Sequence, residues 1–248
     1  MPSVELTIQT ADGQSAATLH TPDGDGPWPG VIVYPDAAGA REAMDEVAIR
    51  IASSGYAALV PDVYYRDAPW APFDFATAFT DDAERTRLFG LMGSLTNERV
   101  LADVGAYVDA LVARPEVSDA PIGTTGYCMG GRFSLLTAAA RPERVGASAS
   151  FHGGRLALPG DPNSPHLHMG PIRAEVLVAR AKEDDSLNDE AADLLDATLT
   201  EAGAAHTIEV YDAHHGYAVS DNPTFDEAAA TRHHEALADL FGRNLVSG

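Results

Sequence analysis

Apolar and polar residues alternate over residues 4–10, which predicts a half-exposed strand. Asp12-Gly13 supplies a turn, and residues 16–20 pair back as a hairpin. Residues 22–29 (P-D-G-D-G-P-W-P) are loop chemistry throughout. The run G-V-I-V-Y at 30–34 has no charged or amide position, the pattern of a strand buried on both faces. Over residues 40–53 the period changes. Met44, Val47, Ala48 and Ile51 share one helical face, and Gly55 ends it. Residues 57–60 form the next buried strand, closed by Pro61-Asp62.

Residues 63–79 are rich in aromatics and proline and have no clean period, so they read as an excursion over the strand ends. Helices are expected over 81–92 and 97–113, the second with Val100, Leu101, Val104, Val108 and Leu111 inward. A short strand at 121–125 leads into a helix at 133–140, followed by a strand at 145–151 and a long loop at 155–171. The chain closes with a strand at 174–179, a helix at 189–202, a strand at 206–211 and a helix at 224–245. Strands alternating with helices of this length imply an α/β fold with a largely parallel sheet and right-handed crossovers. With no internal repeat or linker, residues 1–248 read as one domain.

Charge narrows the partners. Sixteen basic residues against 37 acidic ones give a net charge of −21. Nucleic acid, anionic membrane surfaces and polyphosphate would be repelled, so a small-molecule substrate is expected. One cysteine excludes an intramolecular disulfide, and there is neither a signal-like N-terminus nor an apolar stretch of 18 residues. The expectation is a cytoplasmic monomer or homodimer.

The cysteine is where the chemistry lies. Gly126-Tyr127-Cys128-Met129-Gly130-Gly131 puts a reactive side chain between glycines at a strand-to-helix junction, the geometry of a nucleophile elbow. A helix N-terminus beneath the sulfur favours thiolate over thiol. Asp184-Asp185 and His215 follow other strand ends, in the order nucleophile, acid, histidine. Such an array makes Cys128 a nucleophile, His215 its base and an aspartate the group that orients the imidazole. The N–H groups of Met129 and Ala37 are the candidate oxyanion donors.

Three stretches carry a family resemblance: G-Y-C-M-G-G at 126–131, A-H-H-G-Y at 213–217 and S-G-Y-A-A-L-V-P-D-V-Y at 54–64. Together, and in this order, they resemble the dienelactone hydrolase family, cysteine-dependent members of the α/β-hydrolase fold. The resemblance runs from about Gly30 to the C-terminus. It implies hydrolysis of an ester or lactone through an acyl-thioester, with His215 catalytic and no cofactor. The family's spacing from acid to hydrophobic residue and glutamate fits Leu187 and Glu190 when the acid is Asp184. By resemblance, Asp36 would hydrogen-bond the resting thiol.

Departures from the family concern the substrate. Its carboxylate clamp uses an arginine four residues after the histidine, where this chain has Val219; Arg85 or Arg87 could supply the other half, or be a surface helix arginine. Tyr64, Trp70, Phe73 and Phe79 are expected to roof an apolar pocket, with His152 and Tyr217 also at the substrate. Arg132 either lines that pocket or caps a carbonyl. His166 and His168 lack a third ligand in a proline-rich loop, so no metal is expected; His233-His234 reads as a surface pair.

Overall fold

Each buried run of the sequence becomes a strand of one sheet. In the computed structural model, which describes residues 1–182 and 184–245, eight strands lie in the order β1-β2-β4-β3-β5-β6-β7-β8. β1 (Ser3–Gln9) and β2 (Gln14–His20) form the antiparallel hairpin, and β2 joins β4 antiparallel. β3 (Gly30–Tyr34), β4 (Ala57–Pro61), β5 (Ile122–Tyr127), β6 (Val145–Phe151), β7 (Glu175–Ala181) and β8 (His206–Tyr211) run parallel. This is the α/β-hydrolase architecture, with hydrophobic layers packed on both faces of the sheet.

The helices are α1 (Glu42–Ser53), α2 (Phe75–Ala78), α3 (Asp82–Ser94), α4 (Asn97–Val112), α5 (Met129–Ala140), α6 (Asp189–Glu201) and α7 (Glu227–Asn244). Side chains cap most of them: Asp81 opens α3, Thr96 α4, Asn188 α6 and Asp226 α7. α5 differs. Its cap position is Cys128, which makes no side-chain cap hydrogen bond, so the thiol is not committed to the helix end.

The excursion after β4 is pinned rather than loose. Asp62, at the end of β4, accepts from the Tyr64 N–H (2.8 Å) and from Trp70 Nε1 (3.0 Å). Arg66 forms an ion pair with Asp103 of α4 at 2.6 Å, and Tyr65 donates its hydroxyl to the same carboxylate at 2.8 Å. Four charge-assisted or buried bonds thus hold the aromatic segment over the carboxyl ends of the strands, where open α/β sheets bind their ligands.

α7 corrects the reading of its histidine pair. His233 is buried, and Tyr127 donates its hydroxyl to His233 Nε2 at 2.7 Å. Ala230, His233, Leu237 and Leu240 are all buried on this helix. Their helical spacing was the available signal.

Candidate active site

The site is built on the ends of β5, β6, β7 and β8. Cys128 follows β5 with φ 51° and ψ −116°, a left-handed state in a non-glycine residue. Such a conformation costs about 1–3 kcal/mol and persists only where its surroundings hold it. Here the glycines make room. A Cβ on Gly126 would overlap the Gly130 carbonyl, and one on Gly130 would overlap the Tyr34 carbonyl. The backbone can therefore turn sharply against β3 and lift the sulfur above the sheet.

His215 lies in the loop after β8, and its Nδ1 stands 2.7 Å from Asp184 Oδ2. Asp184 Oδ1 accepts from the Ser186 N–H (2.9 Å) and hydroxyl (2.5 Å). Asp184 is 6% exposed and His215 35%. Burial would raise the Asp184 pKa, but the bonds from His215 and Ser186 outweigh it and bring it down to about 2. Burial likewise opposes charge on His215, yet the bond to Asp184 and the neighbouring Cys128 sulfur push its pKa up to about 10. The acid–imidazole bond is thus made by Asp184, and the structure brings Cys128, His215 and Asp184 together. Ser186 is a member that sequence reasoning missed; its place two residues after an aspartate, in an Asx turn, was the signal.

Ala37 and Met129 flank the elbow, and both are buried. Tyr64 is fully buried beneath them: its hydroxyl donates to the Ala37 carbonyl at 3.0 Å and lies 3.5 Å from Met129 Sδ. It supports these two residues and has no surface to offer a substrate. Trp70 is half-buried, packs edge-on against Tyr64 (ring centroids 5.2 Å apart), and lines a groove of about 370 Å³ with Arg87 and Leu91. Phe73 is buried under the Arg87 guanidinium, whereas Phe79 is exposed.

Several expected contacts are corrected. Arg85 is an exposed helix arginine paired with Asp82, its side chain 45% exposed, because the i,i+3 spacing on α3 joins the two outside the site. Tyr217 is fully buried, donating its hydroxyl to the Ala179 carbonyl at 3.0 Å, and so belongs to the core. His152 is also buried and faces the elbow from behind. The hydrogen bonds of Asp36 go to other partners than the thiol implied for it. Arg41 takes both of its oxygens, at 2.7 and 3.0 Å, and the Ala38 N–H takes Oδ1 at 2.9 Å. Arg41 continues to Asp221 at 2.7 Å and so ties the Asp36–Ala37 turn to the loop that carries His215. No pattern in the sequence signalled this bridge, since Arg41 and Asp221 are far apart in the chain.

Arg132 caps a carbonyl: its Nη2 donates to Leu95 at 2.6 Å, while burial draws its pKa down to about 10. Val219 is buried in the core. Among the described residues no group of three or more histidine, cysteine or acidic side chains is arranged to hold a metal ion, and no helix is long and apolar enough to cross a membrane.

The chain is similar to known proteins in sequence and in fold. The chain is 29% identical over 234 residues to an Escherichia coli (strain K12) protein provisionally named carboxymethylenebutenolidase, covering 93% of this chain and 82% of that one. It is 29% identical over 237 residues to the carboxymethylenebutenolidase of Pseudomonas sp. (strain P51), covering 92% and 90%. A crystal structure from Klebsiella pneumoniae, provisionally named a dienelactone hydrolase, superposes with a TM-score of 0.83 at 25% identity and 98% coverage of both chains. Residues 15–245 match the dienelactone hydrolase family as a whole. With residues 15–245 matched by the family and the fold shared with a solved relative, the chain belongs to the dienelactone hydrolase family and is a hydrolase of that fold.

Proposed function

We propose that the protein hydrolyses an ester or lactone of a small acid through an acyl-thioester on Cys128. The reading is carried by the 2.7 Å Asp184–His215 bond beside a cysteine that heads α5 at a left-handed turn. The raised pKa of His215 keeps the proton on its Nε2 at neutral pH, Nδ1 being held by Asp184, so Cys128 Sγ attacks the carbonyl carbon with its proton already resting on the imidazole. The N–H groups of Met129 and Ala37 receive the oxyanion, each such donor lowering the barrier by about 3 kcal/mol. Collapse breaks the carbon–oxygen bond, and the leaving oxygen takes the proton from His215. Water, deprotonated by the now neutral imidazole, then cleaves the thioester, releasing the acid and leaving the sulfur free again with the proton back on His215. For a lactone, the leaving oxygen stays on the opened product.

A thiolate suits activated esters and enol-lactones, whose leaving groups need little protonation, and the carboxymethylenebutenolidase names of the relatives favour a lactone. A second reading, a general carboxylesterase or thioesterase using the same groups, is favoured by one observation: buried Val219 stands where a clamp arginine would be, and Arg85 lies outside the site.

The test is turnover of p-nitrophenyl esters and an enol-lactone by the wild type and by Cys128→Ala. Wild-type turnover lost in the variant supports the reading; undiminished turnover in the variant overturns it. If the wild type turns over neither class, a binding module without catalysis takes its place.

A further inference from the structure

His152 ends β6 as Cys128 ends β5, one residue beyond the strand, and both have positive φ, 39° and 51°. The two strand ends close on each other. The Cys128 N–H donates to the Phe151 carbonyl (3.1 Å) and to His152 Nδ1 (3.2 Å). Because Nδ1 accepts, the proton of the neutral ring sits on Nε2, which is buried and has no partner among the described residues. The His152 N–H donates to the Ala179 carbonyl at 2.8 Å, the oxygen that also accepts from Tyr217.

The ring of His152 meets three others. His215 lies edge-on with centroids 5.2 Å apart, Tyr217 edge-on at 5.0 Å, and Tyr127 tilted at 6.0 Å. One imidazole, 1% exposed, therefore touches the nucleophile's backbone, the base's ring and the tyrosine two residues beyond the base. The ionisable groups that face it are His215 and Tyr217 from the loop after β8, Tyr127 from β5, Asp184 behind His215 and His233 from α7. Burial, reinforced by the charge of His215, keeps His152 neutral.

A core-filling role does not account for this residue. A phenylalanine would fill the same space without an unpartnered buried donor, which costs about 1–3 kcal/mol. What the imidazole adds is a second acceptor for the Cys128 N–H, beside the Phe151 carbonyl.

We propose that His152 is a positioning residue for the hydrolysis: its Nδ1 fixes the strained Cys128 backbone, and its ring fixes the plane of His215. The proposal rests on the reading of Cys128 and His215 as nucleophile and base.

His152→Phe keeps the ring and removes the acceptor, while His152→Asn keeps an acceptor near the Nδ1 position on a residue that tolerates positive φ. Iodoacetamide alkylation of Cys128 against pH reads the sulfur–imidazole pairing without any substrate; kcat and KM for a p-nitrophenyl ester read its consequence. The Phe variant is expected to lose about tenfold in alkylation rate at pH 7 and in kcat, with KM within about twofold and Asn recovering most of the loss. A Phe variant with the wild-type alkylation profile and kcat overturns the proposal, as does equal impairment of Phe and Asn. The ¹⁵N spectrum of the wild-type histidines tests it without a variant: His152 must stay neutral with Nε2 protonated from pH 5 to 9, and protonation at Nδ1 overturns it. Turnover that survives in Cys128→Ala would instead sink the hydrolase reading on which the proposal rests.

Discussion

Asp184 meets His215 through Oδ2 at 2.7 Å while Ser186 occupies Oδ1 with both its N–H and its hydroxyl. The carboxylate is therefore fixed from two sides before it fixes the imidazole. Asp184→Asn should lower kcat by about 10³–10⁴-fold, since the amide can hold the wrong tautomer of His215. Asp185→Asn should leave kcat within about threefold, because the hydrogen bond to His215 comes from Asp184. Steady-state kinetics of the two variants decide it, and equal losses would contradict the assignment.

The same bond sets a pH dependence. His215 titrates at about 10 in the fold against 6.5 ordinarily, so its contribution to stability is complete below pH 6.5 and disappears as pH rises through 10. Asp184 is displaced the other way, to about 2, and its contribution is lost only in acid as pH falls from 3.8 through 2. The gap in melting temperature between wild type and His215→Gln should narrow steadily from pH 6.5 to 10. A gap that widens would contradict the raised pKa.

Asp36 is bound by Arg41, and this makes it a structural residue with a testable signature. Asp36→Asn leaves Arg41 with the Asp221 carboxylate and the Gly39 carbonyl, and should cost about 3 kcal/mol, the order for breaking a buried ion pair. Urea unfolding measures that loss. Alkylation of Cys128 should keep its pH profile in this variant; a shifted profile would return Asp36 to the thiol.

Tyr64 reaches the site through Ala37. Tyr64→Phe removes the hydroxyl from the Ala37 carbonyl and should cost about 1–3 kcal/mol in stability. It should also lower kcat by about tenfold, with KM unchanged, if the Ala37 N–H receives the oxyanion. A lower stability with unchanged kcat would remove Ala37 from that role.

Much of the fold is legible because its strands are short runs between breakers, apolar throughout at 30–34 and mixed with polar positions at 145–151 and 206–211, and the limits expected for all three match the observed ones. The elbow was legible because only glycines fit where β5 turns against β3. What the sequence hid was orientation. His152, just past β6, and Tyr217, in the loop after β8, read as substrate-facing, yet both turn inward, Tyr217 onto the Ala179 carbonyl and His152 onto the Cys128 N–H. Arg85 reads from the sequence either as half of a clamp or as a surface helix arginine, and its pair with Asp82 shows the second. The Asp36–Arg41–Asp221 bridge depends on loops meeting across the sheet ends, which no local pattern encodes.

The most direct test of the account is the mass of the enzyme during turnover. Wild type or His215→Ala, quenched in acid within milliseconds to seconds of mixing with a p-nitrophenyl ester, should carry one acyl group, and peptide mapping should place it on Cys128 as a thioester. An acyl group on any other residue, or steady turnover with Cys128 alkylated in full, would contradict the account.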